Sequence, residues 1–489
     1  MDSITMTTEQ QLPKGWEIKR LGDVLQIQNG YAFKSVEFIK ENPKNTHIPL
    51  IRQSQLVGNT VDLSDCVFLD KKYLSDKKNY IVNKGDILIG MSGSIGKVSF
   101  YEDERPALLN QRVGKLNLYN HDTFQKDFFA YLLINLEQSI IQTAKGMGIQ
   151  NISSKDIEQL QIPIPPLETQ QAIVNKIESL FDEIDEGIGR LKTAAQQIQQ
   201  YRQSLLKNAF NGELTKEWRS KHADALPSEN ELLAQIQTAR EERHAQQLAD
   251  WQTAVSQWEQ NGKEGKKPSK PKAPTQAVKF EENFADLPRG WGVIRFENIC
   301  DLIRNGISVK PEGESGIKIL RISAVRPFQL NLDDYRFLNT DDVGDFVLNN
   351  GDLLFTRYNG TRNFVGVCAE FKSDEKYVYP DKLIRAVVNS TKINSTFLMY
   401  GFNTGISRKF IESRIRTTAG QSGISGTDIK AIPVVICSPA EQTQIVAILE
   451  SKLTACDQLA AELSKQLKQA ELLKQAVLKA AFSGSLLDK

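Results

Sequence analysis

Four short motifs occur twice in this chain, about 270 residues apart. Leu12-Pro13-Lys14-Gly15-Trp16 returns as Leu287-Pro288-Arg289-Gly290-Trp291. Gly85-Asp86-Ile87-Leu88 returns as Gly351-Asp352-Leu353-Leu354. Ile152-Ser153-x-x-Asp156-Ile157 returns as Ile424-Ser425-x-x-Asp428-Ile429, and Ala209-Phe210-x-Gly212-x-Leu214 as Ala481-Phe482-x-Gly484-x-Leu486. Between these anchors the copies share almost nothing. Solenoid units run only ~20–50 residues, so this period implies a duplicated domain. Any fold must therefore supply one frame twice and leave its contents free. That pattern suits a protein that grips two different things with one geometry.

A chain of 489 residues has room for roughly three or four domains. No apolar run reaches the ~18–20 residues that span a bilayer, and Met1 to Gln11 is polar, without a signal core. The expectation is a cytoplasmic protein with no membrane partner. The five cysteines (Cys66, Cys300, Cys368, Cys437, Cys456) are scattered and odd in number, which suits a reducing compartment. With no CxxC and four dispersed histidines, a structural zinc site is not expected. Net charge is only +1, yet residues 288–437 carry 12 Arg where residues 13–165 carry 4. Arginine reads phosphates and base edges bidentately, so this asymmetry is a hint of nucleic acid.

The chain divides on paper into five parts: 1–166, 167–214, 215–286, 287–438 and 439–489. The first and fourth read as strand-rich mixed α/β domains. Ile48-Pro49-Leu50-Ile51, Asp86 to Ile89 and Gly96 to Phe100 are short β-rich runs, and Asp127 to Gln142 is a helix with Phe128, Leu132 and Leu136 on one face. Ser153-x-x-Asp156 is a capping box. From Glu168 to Phe210 apolar residues recur every seventh position at Ile177, Ile184, Leu191, Ile198 and Leu205. The last part repeats the pattern, with Leu449, Leu463 and Val477 in its column. Sustained heptads argue for a coiled coil, and the charged breaks Arg202 and Lys474, at equivalent positions, would fix its register. The fold class expected is α+β: two similar mixed α/β domains separated by a pair of long antiparallel coiled-coil helices. Each helix, at roughly 40 residues, would be about 60 Å long. The 215–286 segment has no counterpart. It opens with the capping box Ser228 to Glu231 and a helix through Trp258, then a Lys/Pro/Gly-rich run, Gly262 to Pro274, that reads as a mobile, solvated linker.

Catalytic signatures are missing. No GxxxxGK[ST] is present, no acidic or Asn residue precedes a Pro-Pro-aromatic, and the Gly-rich stretches lack a strand–GxGxxG–helix context. What remains are polar turns suited to DNA. Thr356 to Asn363 follows a strand and concentrates Arg357, Tyr358, Asn359 and Arg362. Its counterpart, Gly90 to Lys97, offers Ser92, Ser94 and Lys97. Asn110-Gln111-Arg112 and Asp381-Lys382-Leu383-Ile384-Arg385 occupy similar places in the two copies and offer Gln111, Arg112, Lys382 and Arg385; Arg112 and Arg385 either contact DNA or make structural ion pairs with neighbouring carboxylates. Arg52, Gln53 and Lys145 complete the candidate DNA contacts of the first copy, Arg321 and Gln421 those of the second.

In this order and duplication, the motifs resemble the specificity subunit of type I restriction-modification systems. Ile162-Pro163-Ile164-Pro165-Pro166-Leu167-Glu168-x-Gln170 adds to the likeness, and Cys437-Ser438-Pro439-Ala440-Glu441 departs from it. The long 215–286 insertion, with Glu217-Trp218-Arg219, looks like a subgroup with an extended central region. The resemblance implies two target recognition domains, each binding half of a bipartite, asymmetric site in double-stranded DNA. It also implies a chain without catalysis or cofactor of its own, docking two modification subunits that carry S-adenosylmethionine and two restriction subunits that use ATP and Mg. A self-contained DNA-modifying enzyme and a coiled-coil scaffold binding only proteins are the alternatives.

Overall fold

The computed structural model describes residues 13–487 apart from 42–45, 121, 147–150, 275, 278–279, 281–286, 340–342, 389–391 and 419. Leu12, from the first repeated motif, lies outside the described residues. The helices that organise the chain are α1 (Lys126–Gly146), α2 (Leu167–Phe210), α3 (Glu229–Gln260), α4 (Ser395–Phe402), α5 (Gly405–Arg414) and α6 (Pro439–Phe482). Two compact units emerge: Met1–Ala194 with Glu462–Lys489, and Ala195–Ala461. Both boundaries fall inside α2 and α6, so each long helix gives one part to each unit.

In the first unit, Glu17–Arg20 pairs antiparallel with Gln161–Ile164, Glu17 lying opposite Ile164. In the second, Gly292–Arg295 pairs with Pro433–Ile436, Gly292 opposite Ile436. The strand after each Leu-Pro-x-Gly-Trp motif is thereby stitched to the strand before each long helix. A four-strand core recurs as well. Leu25–Asn29, Val113–Leu118, Ile87–Gly90 and Val98–Phe100 lie in that order, and Cys300–Asn305, Leu383–Val388, Leu353–Thr356 and Cys368–Glu370 repeat it. The central Ile87–Gly90 and Leu353–Thr356 strands are buried throughout. Such strands read as continuous apolar runs, because neither face meets water.

The heptad columns describe what each unit buries. Ile177, Val477 and Phe482 belong to the core of the first unit, with Ile184 packed against it. Leu205 and Leu449 belong to the core of the second. Leu191, Ile198 and Leu463 are half-buried while their neighbours along the helices are mostly exposed. The two charged breaks find cross-helix partners. Within the first unit Lys474 donates to Asp185 at 2.6 Å and lies over the Phe181 ring. Within the second, Arg202 donates to Asp457. Where α2 ends, Phe210 meets Phe397 of α4 at 5.1 Å; where α6 ends, Phe482 meets Phe128 of α1 at 5.3 Å. The repeated glycines lie just beyond. Gly212 (φ +83°) and Gly484 (φ +85°) are left-handed C-cap residues, and a Cβ on either would stand 2.1 Å from the ring of Pro288 or Pro13. The Phe-x-Gly and Leu-Pro motifs recur because each holds the other.

The described residues of the 215–286 insertion pack on the second unit. Leu232, Ile236 and Ala239 of α3 enter its core, and Arg243 pairs with Asp301 at 3.3 Å. Ahead of α3, Arg219 and Thr215 donate to Glu441 Oε1 at 2.6 and 2.7 Å, and Trp291 Nε1 donates to Glu441 Oε2 at 2.8 Å. The Lys/Pro/Gly-rich run is not a free linker: it doubles back along α3 as a strap. The indole N–H groups of Trp258 and Trp251 donate to the carbonyls of Gly265 and Pro268 at 3.3 and 3.0 Å. Leu248, Trp251, Val255 and Trp258, the apolar face expected of this helix, are half-buried under it.

All five cysteines are free. Burial pushes the thiols of Cys368 and Cys437 well up. Among the described residues, no helix is long and apolar enough to cross a membrane.

Candidate nucleic-acid interface

The Gly-Asp-Ile/Leu-Leu motif turns the chain into its central strand and anchors it electrostatically. Asp352 accepts the Asn349 N–H at 2.7 Å and pairs with Arg385 at 2.7 Å, both side chains being almost wholly buried. Burial pushes the Asp352 carboxyl up, and the Asn349 N–H and Arg385 draw it back down. Asp86 accepts the Asn83 N–H at 2.9 Å and lies 3.6 and 3.5 Å from Lys115 and Lys126. Arg385 thus answers to Lys115, one strand turn beyond the loop. This corrects its reading as a DNA contact: its Nη1 also donates to the Val347 carbonyl at 2.9 Å, and the side chain is 6% exposed. An arginine so placed holds the sheet and cannot reach a duplex.

At the far end of the same strand three segments converge, in both units by the same backbone bonds. The Met91 N–H donates to the Arg112 carbonyl at 3.1 Å, and the Ile152 N–H to the Met91 carbonyl at 2.9 Å. The Arg357 N–H donates to the Lys382 carbonyl at 2.9 Å, and the Ile424 N–H to the Arg357 carbonyl at 3.0 Å. The strand-end loop, the turn at Gln111-Arg112 or Asp381-Lys382, and the Ile-Ser-x-x-Asp segment therefore meet. Ser153 and Ser425 cap the short helices Ser154–Glu158 and Gly426–Lys430 there by full capping boxes. Those helices seat their Ile157 and Ile429 in the core, which fixes the third wall.

What lines the two clefts differs. In the first unit an opening of about 310 Å³ is lined by Asn29, Ser92, Gln111, Arg112, Asn151 and Ser153. In the second, an opening of about 720 Å³ gathers Lys310, Arg321, Arg326, Arg336 and Lys382 with Tyr358, Asn359, Thr361 and Gln421. Arg112 and Lys382 occupy equivalent positions, placed by the same backbone bond. The second cleft concentrates five cations, several tied to neighbours. Arg321 lies 3.3 Å from Asp334, Lys310 lies 3.2 Å from Glu312, and Arg326 stacks over Phe364. Phosphate contacts need such cations, and base edges need amide, hydroxyl and guanidinium groups beside them.

Of the candidates named from sequence, the structure gathers Ser92, Gln111 and Arg112 in one cleft, and Arg321, Tyr358, Asn359, Lys382 and Gln421 in the other. It does not bring the rest there. Arg362 donates to the carbonyls of Glu412 and Ile415 at 3.1 and 3.3 Å, satisfying the open C-terminal end of α5. Its guanidinium is therefore engaged, a correction to its reading as a base reader. Arg357 donates to the Asp381 carbonyl at 3.3 Å and lies over Tyr358, so it braces the turn behind the cleft wall. Arg52 and Gln53 are half-buried, with Nε and Oε1 lacking partners, and Ser94 donates to the Gln53 carbonyl at 3.1 Å. Lys97 faces Glu137, whose carboxyl burial pushes up and Lys97 draws down. The side chain of Lys145 lies outside the described residues. Sequence reasoning missed Asn29, Asn151, Lys310, Arg326 and Arg336. Asn29 had a usable signal: Asn29-Gly30 recurs as Asn305-Gly306 on the paired strand. Among the described residues no group of three or more His, Cys, Asp or Glu is placed to hold a metal.

Residues 13–192 match the family described as type I restriction modification DNA specificity domain. The chain is 28% identical to the EcoKI specificity subunit of Escherichia coli K12, over 97% of its own length and 90% of that protein. It is 25% identical to the StySPI specificity subunit of Salmonella potsdam, with the same coverage. Its fold is that of a chain solved in work on complex assembly and conformational transition of the type I R-M system (TM-score 0.62, 16% identity, 97% of this chain and 100% of that one). It also matches the HsdS subunit of Thermoanaerobacter tengcongensis (TM-score 0.52, 16% identity, 98% and 99%). With one polar cleft built twice on a repeated frame, this chain carries a type I restriction modification DNA specificity domain over residues 13–192 and is similar along nearly its whole length to the specificity subunits of type I restriction enzymes.

Proposed function

We propose that this chain is a non-catalytic reader of double-stranded DNA, each sheet-rich domain binding one half of a bipartite, asymmetric target. It works in the cytoplasm in complex with two modification and two restriction subunits. Those subunits supply S-adenosylmethionine, ATP and Mg. The observation that carries the reading is the pair of clefts: identical backbone bonds place Arg112 and Lys382, while the side chains around them are unlike. A frame that fixes position and frees chemistry is what reading two different half-sites requires.

Arg112→Ala and Lys382→Ala test it. The chain is assembled with modification subunits, and binding to duplexes randomised in one half-site at a time is measured. Each substitution is expected to cost ~1–3 kcal/mol at its own half-site if the contact is to a base, or to weaken all sequences evenly if it is to phosphate. Two variants that bind every duplex as the unaltered complex does would remove these clefts from the interface.

A further inference from the structure

The strap over α3 displays a charge pattern that the two clefts do not use. Lys263, Lys266, Lys267, Lys270 and Lys272 fall within ten residues, with Glu264 the one acidic residue among them. All five are exposed, and among the described residues none is ion-paired. The strap is held in a definite conformation. Pro268, Pro271 and Pro274 recur every third residue and are half-buried, whereas every residue between Pro268 and Pro271 is exposed. A three-residue period is that of the polyproline II helix, which rises 3.1 Å per residue and has no internal hydrogen bonds. Its missing bonds are partly supplied by the indoles of Trp251 and Trp258. The same two rings face the ammonium groups of Lys270 and Lys267, each 5.8 Å from a ring centroid. One edge of the strap is thus proline against the helix, and the others carry lysine to solvent.

We propose that this strap binds the phosphate backbone of duplex DNA outside the recognised bases, adding a sequence-independent grip. The inference rests on the DNA-reader function proposed above. Lysine ammonium groups are point charges without the fork geometry that reads bases, so they suit phosphate. An acidic protein surface fits less well. Protein interfaces are depleted in lysine and need apolar anchors, and the exposed side chains of the strap are mostly lysine, with one serine, one glutamate and one alanine. Holding the lysines on a stiff strap also removes much of the ordering cost that a free linker would meet on binding.

The test is the variant with Lys263, Lys266, Lys267, Lys270 and Lys272 all changed to Gln, in the complete chain assembled with modification subunits. Affinity for a duplex extending well beyond the target is measured against salt concentration. Each lysine that no longer neutralises a phosphate lowers the log–log salt slope by ~0.9. The expected result is a slope smaller by about 4.5 when all five lysines are engaged, affinity down at least tenfold at physiological salt, and unchanged discrimination between target and non-target half-sites. An unchanged slope and affinity would overturn the strap proposal while leaving the clefts standing. Failure of the variant to assemble with modification subunits would overturn it in favour of protein docking. Should the unaltered complex show no target-dependent binding, the DNA-reader function itself would fall.

Discussion

The same carboxylate is held in two ways in the two copies of the domain. Asp86 sits half-buried at the head of its central strand between two lysines, all three partly exposed. Asp352 sits 3% exposed against a single arginine that is 6% exposed and spends another donor on a backbone carbonyl. The position is constant because the aspartate ties off the turn at Asn83 or Asn349 before the central strand. The surroundings differ because the second copy buries what the first leaves near water. One geometry can therefore rest on weak, screened attraction in one copy and on a buried pair in the other.

The largest consequence is for stability. Asp352→Ala leaves Arg385 charged, buried and without its partner, which should cost about 3–5 kcal/mol. Asp86→Ala removes a partly exposed contact and should cost about 1 kcal/mol or less. Denaturation by urea reads the first directly, since four of the five tryptophans (Trp218, Trp251, Trp258, Trp291) lie in the second unit. Hydrogen exchange over Ile87–Gly90 reads the second. Equal losses at both positions would break the comparison and mean that the turn bond, common to both, carries the stability.

The repeated glycines sharpen the comparison from the other side, because here the copies should agree. Gly212→Ala and Gly484→Ala each place a Cβ at positive φ and 2.1 Å from a proline ring. Each should cost roughly 1–3 kcal/mol for the backbone strain, before any shift of the proline. Paired hydrogen-exchange measurements at Gln161–Ile164 and Pro433–Ile436 should show similar loosening of the two closing strand pairs. A large loss at one glycine alone would mean that the frame is shared in shape and not in energy.

The frame was legible in the sequence and the reading surface was not, and particular residues show why. Motifs such as Leu-Pro-x-Gly-Trp, Phe-x-Gly and Ile-Ser-x-x-Asp need one residue type at one place: a left-handed glycine against a proline ring, a serine whose oxygen caps a helix. Heptads state their own period. The side chains of the clefts come instead from segments far apart in the chain, Asn29 with Asn151, and Arg326 and Arg336 with Lys382. No local pattern links them. Arginine is also ambiguous by nature. Arg362 looks like a reader in a polar loop, yet it caps α5, because a guanidinium satisfies buried carbonyls as readily as it does phosphates. The strap was misread for a similar reason: composition announces a flexible Lys/Pro/Gly run, and only the Trp251 and Trp258 indoles, on another element, hold it down.

The smallest expected effect concerns the two charged breaks of the long helices. Arg202 with Asp457 and Lys474 with Asp185 are equivalent pairs, the cation on α2 in one unit and on α6 in the other. Their carboxylates are largely exposed, so solvent screens the attraction, and a double-mutant cycle on either pair should give a coupling of only about 0.2–1 kcal/mol. Yet a small energy can set register, since a helix slipped by one heptad would set each cation beside a residue that does not answer it. Two measurements separate these roles. Coupling should fade as salt rises to about 1 M, where the Debye length shrinks to about 3 Å. Reversing one pair, Lys474→Glu with Asp185→Lys, should restore the coupling, whereas Lys474→Glu alone places two acids together and should loosen hydrogen-exchange protection around Phe181 and Val477. If Lys474→Glu changes neither stability nor exchange, the heptad leucines and isoleucines set the alignment unaided, and the matched cations in the two copies are left without a role in register.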